Sequence, residues 1–82
     1  MMQQIKLEVV TSTGVLISKD CNSVSLPSKE GIIQIMCGCE PTLIELKKGE
    51  IVVDGEDNKR FKVILGFAIV DFNSCKVIIN EM

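Results

Sequence analysis

Two cysteines stand one glycine apart at Cys37-Gly38-Cys39, directly after the apolar run Ile32-Ile33-Gln34-Ile35-Met36, in a chain of 82 residues that contains no histidine. Thiols at that spacing could hold a soft metal ion or cycle between thiol and disulfide, so they are the first place to look for chemistry. Cys21 and Cys75 bring the total to four. A structural zinc site draws its thiolates from paired C-x(2–4)-C knuckles, whereas here one close pair is joined by two distant singles. Four cysteines could pair as two disulfides in three ways. The opening MMQQIKLEVV, however, lacks the charged and then apolar stretches of a secretion signal, so reduced thiols are expected, with Cys21 and Cys75 packing as small hydrophobes or lying in turns. Without histidine there is no Cys-His pair, no Ser-His-Asp triad and no imidazole ligand, and nothing basic is placed to turn Cys37 or Cys39 into a thiolate. No carboxylate pair stands out, and Gly14, Gly31, Gly38, Gly49, Gly55 and Gly66 lie apart, one per turn, instead of forming a phosphate-cradling loop. The chain therefore reads as non-catalytic, with no metal and no cofactor.

Charge and length narrow the partners. A net charge of −2 with lysines scattered along the chain provides no basic stripe for nucleic acid. The longest apolar runs, such as Phe67 to Val70, are far shorter than the roughly 20 residues that span a bilayer as a helix, so direct membrane insertion is not expected. A small carrier module would need an exposed lysine at a hairpin tip. Lys59 in DGEDNKRF is the candidate, but the acidic and methionine signature that flanks such a lysine is missing. This carrier or free-standing binding barrel is the rival to a structural subunit.

The elements that would position these residues are strands. Hydrophobic residues make up 46% of the chain and the aromatics are three phenylalanines, so the core must be aliphatic and β-branched, a bias that favours sheet. IKLEVV (5–10) alternates Ile5, Leu7 and Val9 against Lys6 and Glu8. A turn over 11–14 leads to a short strand at 14–17, which SKDCN (18–22) is expected to break. NSVSLP (22–27) alternates again and should stop at Pro27, which has no ladder donor. IIQIM (32–36) and TLIELKKG (42–49) read as further strands, the second in preference to a turn of helix because it is short and closes on Gly49. EIVV, the loop DGEDNK and RFKVIL form a hairpin. FAIVDF, the turn NSC and KVIIN form another. Turn signals every 8 to 12 residues predict an all-β fold, a small sandwich or flattened barrel of short, mainly antiparallel strands occupying 1–82 as one domain.

Five stretches carry a resemblance. IKLEVVTSTGVL, CNSVSLP, SKEGIIQI, CGCEPTLIELKKGEI and GFAIVDFNSCKVIIN resemble, in order and spacing, the amino-terminal β-sandwich of the epsilon subunit of bacterial F-type ATP synthase. The family commonly has Glu-Leu-Gly where this chain has Ile32-Ile33-Gln34, Pro-Gly-His where it has Cys37-Gly38-Cys39, and Ala where it has Glu40. Gly38 is thus expected to be a turn glycine with positive φ, and the CGC pair a drifted turn. The resemblance implies a central-stalk subunit that couples proton-driven rotation of the c ring to the gamma subunit and, indirectly, to the alpha/beta catalytic head, and that sits peripherally on the cytoplasmic face of the bacterial inner membrane. Matching positions would place Thr11, Gly38, Cys39, Pro41, Thr42 and Ile44 against gamma, and Ser28, Glu30, Gly31 and Ile32 near the c ring. The 30–46 segment is expected to expose an apolar strip rimmed by Glu30, Glu40 and Glu45. The family's carboxy-terminal helical hairpin has no counterpart after Asn80. A naturally short chain, in preference to a trimmed one, and a synthase without the ATP-sensitive inhibition that the hairpin exerts are the corresponding expectations.

Overall fold

The computed structural model describes residues 4–54 and 60–80. The predicted loop tip at 55–59, Lys59 included, lies outside the described residues. Within them the chain forms nine strands: β1 (Ile5–Thr11), β2 (Gly14–Cys21), β3 (Ser23–Ser28), β4 (Gly31–Met36), β5 (Thr42–Leu46), β6 (Gly49–Asp54), β7 (Arg60–Val63), β8 (Leu65–Val70) and β9 (Ser74–Asn80). They hydrogen-bond in the order β2-β1-β9-β8-β5-β3-β6-β7, with β4 paired to β3. Every pairing is antiparallel except β1 with β9. The all-β class is as the alternation indicated.

The sheet is folded back on itself. Among the described residues its two halves, β2-β1-β9-β8-β5 and β4-β3-β6-β7, are joined by one ladder pair, Ser28 with Leu46. Their inward side chains form one core: Ile5, Leu7 and Val9 of β1 pack with Val24 and Leu26 of β3, Ile51 and Val53 of β6, and Ala68, Val77 and Ile79 of β8 and β9. The chain crosses between the halves at Asn22, at 37–41, at Lys47-Lys48 and at Ile64.

Four local expectations need correction. First, β2 does not stop at Ile17. It runs on to Cys21, paired residue for residue with β1 down to Ile5, because Ser18 and Asp20 are the solvent-facing members of an alternation whose inward members include Ile17 and Cys21. Cross-strand pairing overrides the turn preference of those residues. Second, Pro27 lies inside β3 and is buried. Its carbonyl accepts the Lys47 N–H at 2.8 Å, so its nitrogen faces the side on which β6, paired only from Ser23 to Ser25, has already left the ladder, and no donor is missed. Third, RFKVIL is two strands, because Val63 pairs with Gly49 of β6 and Leu65 with Asn80 of β9, so Ile64 is the corner where the chain changes halves. Fourth, Cys75 lies in β9, not in the turn.

Gly66 also sits within a strand. A Cβ there would collide with the carbonyl oxygen of Ile78 and come within 3.0 Å of the Ile79 Cα, so a side-chain-free residue allows β8 and β9 their close approach.

Candidate interaction surfaces

The β3–β4 hairpin is built by Ser28. Its hydroxyl donates to the Gly31 carbonyl at 2.5 Å and accepts the Glu30 N–H at 3.2 Å, and the residue is only 3% exposed. Ser28 therefore shapes the turn from inside. What the turn presents is Glu30, exposed, and Ile32, 81% exposed. Ile32 is outward because β4 pairs it with Pro27 and sends Ile33 and Ile35 toward the core.

At the opposite end, Gly38 has φ +100°, the conformation expected of it, and its N–H donates to the Phe72 carbonyl at 2.6 Å. This pins the CGC turn to the β8–β9 connection, with Cys39 packed against the core. Cys21 and Cys75 are buried. Burial pushes the Cys75 thiol up to about 12, with Cys21 and Cys39 adding to it, and burial also raises Cys21. Such thiols behave as apolar filling, far from the thiolate form that nucleophilic or ligand chemistry requires. Among the described residues no three Cys, Asp or Glu side chains stand in an arrangement that could hold a metal ion.

Of the residues assigned to gamma, the structure gathers Gly38, Cys39, Pro41 and Thr42 at that end, leading into β5. Thr11 is elsewhere. The ladder Val10–Ile78–Phe67–Glu45 puts Thr11 one step further on, level with Leu46 and hence with Ser28, so Thr11 belongs to the β3–β4 hairpin end. There it braces the β1–β2 turn, accepting the Thr13 N–H at 3.2 Å. Ile44 is half-buried and packs against the core. The apolar strip foreseen in 30–46 is accordingly divided: Ile32, Met36 and Leu43 are exposed, Ile35 and Leu46 are buried, and Ile33 and Ile44 lie between.

One groove joins the two predicted sets. A hollow of about 390 Å³ between β5 and the β3–β4 hairpin is lined by Ser28, Glu30, Thr42 and Ile44 together with Lys29, Leu43 and Glu45, and a 3.2 Å ion pair between Lys29 and Glu45 spans it. Beside it lies a surface that sequence reasoning missed. On the outer face of the five-stranded half, Leu43 stands opposite Ile69, and Phe67 opposite Ile78, which in turn faces Val10 and then Val15. The signal was present in Phe67-Ala68-Ile69-Val70, a strand apolar in both phases, which is the pattern of a strand covered on both faces.

Comparisons with known proteins agree with this architecture. The family model described as "ATP synthase, Delta/Epsilon chain, beta-sandwich domain" matches residues 4–82. The ATP synthase epsilon chain of Sulfurimonas denitrificans is 30% identical over 78 residues, covering 95% of this chain and 60% of that protein. That of Gluconacetobacter diazotrophicus is 33% identical over 82 residues, covering 98% and 58%. Among solved structures, a chain of the Euglena gracilis mitochondrial ATP synthase (OSCP/F1/c-ring) superposes with a TM-score of 0.81 at 21% identity over 93% of this chain and 50% of that one. A chain of the Tetrahymena thermophila mitochondrial ATP synthase central stalk/c-ring superposes with a TM-score of 0.81 at 16% identity over 96% and 65%. The chain spans about 60% of the length of these bacterial relatives. A family match running from the first described strand to the last, on a folded-back sheet of the same shape, establishes that this chain belongs to the ATP synthase delta/epsilon β-sandwich family.

Proposed function

We propose that this domain is a non-catalytic central-stalk subunit of an F-type ATP synthase, linking rotation of the c ring to the gamma subunit and, through it, to the alpha/beta head. The observation that carries the reading is the family match over residues 4–82. The surface is in keeping with it: an exposed isoleucine on a hairpin shaped by Ser28 at one end, and an apolar outer sheet face. The hairpin residues Glu30, Gly31 and Ile32 are the ring-facing candidates, with Ser28 shaping them. Pro41, Thr42 and Ile44, with Gly38 and Cys39 behind them, are the gamma-facing candidates. Thr11 joins the hairpin end. No described helix is long and apolar enough to cross a membrane, and attachment to the cytoplasmic face of a bacterial inner membrane would come through these partners.

Affinity purification of the tagged chain from detergent-solubilised membranes of its own cell tests the reading. Gamma, alpha, beta and c subunits are expected in stoichiometric amounts. Elution of the chain without them, or a hydrolytic or thiol-redox turnover of the purified chain that is abolished by Cys39→Ser, would overturn it.

A further inference from the structure

β5 closes the five-stranded half, and most of its outer edge is open. Ser28 with Leu46 is the one bridge across that edge among the described residues. It is flanked by the Lys29 N–H donating to the Glu45 carbonyl at 3.4 Å and the Lys47 N–H donating to the Pro27 carbonyl at 2.8 Å. Bonds on both sides of the bridge mark Ser28 and Leu46 as a non-hydrogen-bonded pair of an antiparallel ladder. The backbone groups of Glu45 and Lys47 therefore point toward β3, and those of Ile44 and Leu46 toward β8. One step further along the alternation, the N–H and carbonyl of Leu43 point the same way as those of Glu45. The hairpin has turned away by then, and no strand faces Leu43 on that side among the described residues. The 390 Å³ groove opens at this place. An open ladder beside a groove is a template for an added strand.

We propose that this edge is completed by an extended segment of the gamma subunit, which pairs with β5 at Leu43 and Glu45 and becomes the sixth strand of that half. The proposal rests on the central-stalk reading. The main-chain donors and acceptor are the Leu43 N–H, the Leu43 carbonyl and the Glu45 N–H. The chemistry of the segment follows from its neighbours. A residue opposite Leu43 comes to lie on the outer face beside Leu43, which is 66% exposed, and Ile69, so it is apolar. Glu30, in the groove wall, and Glu40, just before β5, are exposed carboxylates with no cation in ion-pair distance among the described residues, whereas Glu45 is already held by Lys29. The residues flanking the apolar one are therefore lysine or arginine. An extended basic-apolar-basic stretch satisfies backbone, face and charge together.

Two variants separate backbone pairing from side-chain contact. Leu43→Pro deletes an N–H that the fold does not use, and proline is tolerated where the donor side of an edge strand is open. Leu43→Val keeps both the donor and an apolar side chain. Titrated calorimetrically with purified gamma subunit, Leu43→Val is expected to bind like wild type and Leu43→Pro about tenfold more weakly, while hydrogen exchange at the Leu43 and Glu45 amides of the wild-type protein slows on complex formation. Equal affinity of a folded Leu43→Pro variant, or unchanged exchange at both amides in a complex that does form, would overturn the proposal. If Leu43→Pro fails to fold, because proline also restrains φ and the preceding residue, the exchange measurement on the wild-type complex decides: slowed Leu43 and Glu45 amides uphold the proposal and unchanged ones overturn it. Absence of any wild-type binding to gamma would instead overturn the central-stalk reading itself, and the two failures are distinguished by that first titration.

Discussion

Gly66 shows how closely single residues are constrained in this small sandwich. Because a Cβ at this position would meet the Ile78 carbonyl oxygen and the Ile79 backbone, neither of which can rotate away, Gly66→Ala must separate β8 from β9. It should cost on the order of 1 to 3 kcal/mol in chemical denaturation. Cys75 makes a prediction of a different kind. Its thiol stays neutral in the folded protein until about 12, whereas in the unfolded chain it ionises near its ordinary value of 9.0. Between those values the unfolded state has released a proton that the native state keeps, so stability falls as pH rises, by about 1.4 kcal/mol per pH unit at most. Urea titrations from pH 8 to 10.5 should show a shallower decline for Cys75→Ala than for wild type, and equal slopes would remove Cys75 as the cause. Ile32 and Ile44 part company in the same way. With 81% of its surface exposed, Ile32→Asp should leave stability within about 0.5 kcal/mol of wild type and, if the hairpin faces the c ring as proposed, weaken only capture of the ring. Ile44→Asp places a charge against the core and should destabilise the fold, so lost gamma binding in that variant says little by itself.

Among the elements, the β3–β4 hairpin is the one whose presented surface depends on a single buried side chain. Ser28→Ala leaves the Glu30 N–H and the Gly31 carbonyl without their bridging hydroxyl. The expected effect is a loss of about 1 to 2 kcal/mol in thermal or denaturant unfolding and faster amide exchange at Glu30, and an unchanged Glu30 amide would show that the turn holds without the hydroxyl. The hairpin's two strands were legible in the sequence as NSVSLP and IIQIM, as was β1, whose Ile5, Leu7 and Val9 are all fully buried. The second half of β2 was not, because Ser18 and Asp20 carry a local turn preference that only the distant partner β1 overrides. The corner at Ile64 was hidden for the opposite reason: Val63-Ile64-Leu65 is uniformly apolar, and nothing local marks where the chain leaves one half for the other. The candidate site shows the same division. The positive φ of Gly38 was expected from the resemblance to the family's turn glycine, whereas the outward position of Ile32 is fixed by its pairing with Pro27. The separation of Thr11 from Gly38 depends on β1 lying beside β9, which no short-range pattern encodes.

At the level of the whole molecule, the two halves share one core and, among the described residues, one ladder pair with its two flanking backbone hydrogen bonds, so the shared apolar core contributes most of their mutual attachment. Within the five-stranded half, β9 lies in the middle: it runs parallel to β1 on one side and antiparallel to β8 on the other, joining Leu7 to Cys75, 68 positions apart. That placement has a consequence for the birth of the protein. While the chain is being synthesised, β1 and β2 can meet early as a hairpin, but the inner edge of β1 and the edge of β8 both wait for β9, the last of the described strands to be made. Until residues 74–80 have cleared the ribosome, neither edge can close, and the nascent protein carries two apolar strands with an open edge each, which invite chaperones or aggregation. Long-range pairing of this kind places refolding in the millisecond-to-second range. A stalled nascent chain that ends before Ser74 should remain protease-sensitive, and one in which Asn80 is fully extruded should become resistant in a single step. Stepwise protection that begins before β9 emerges would show that the other half can fold without it.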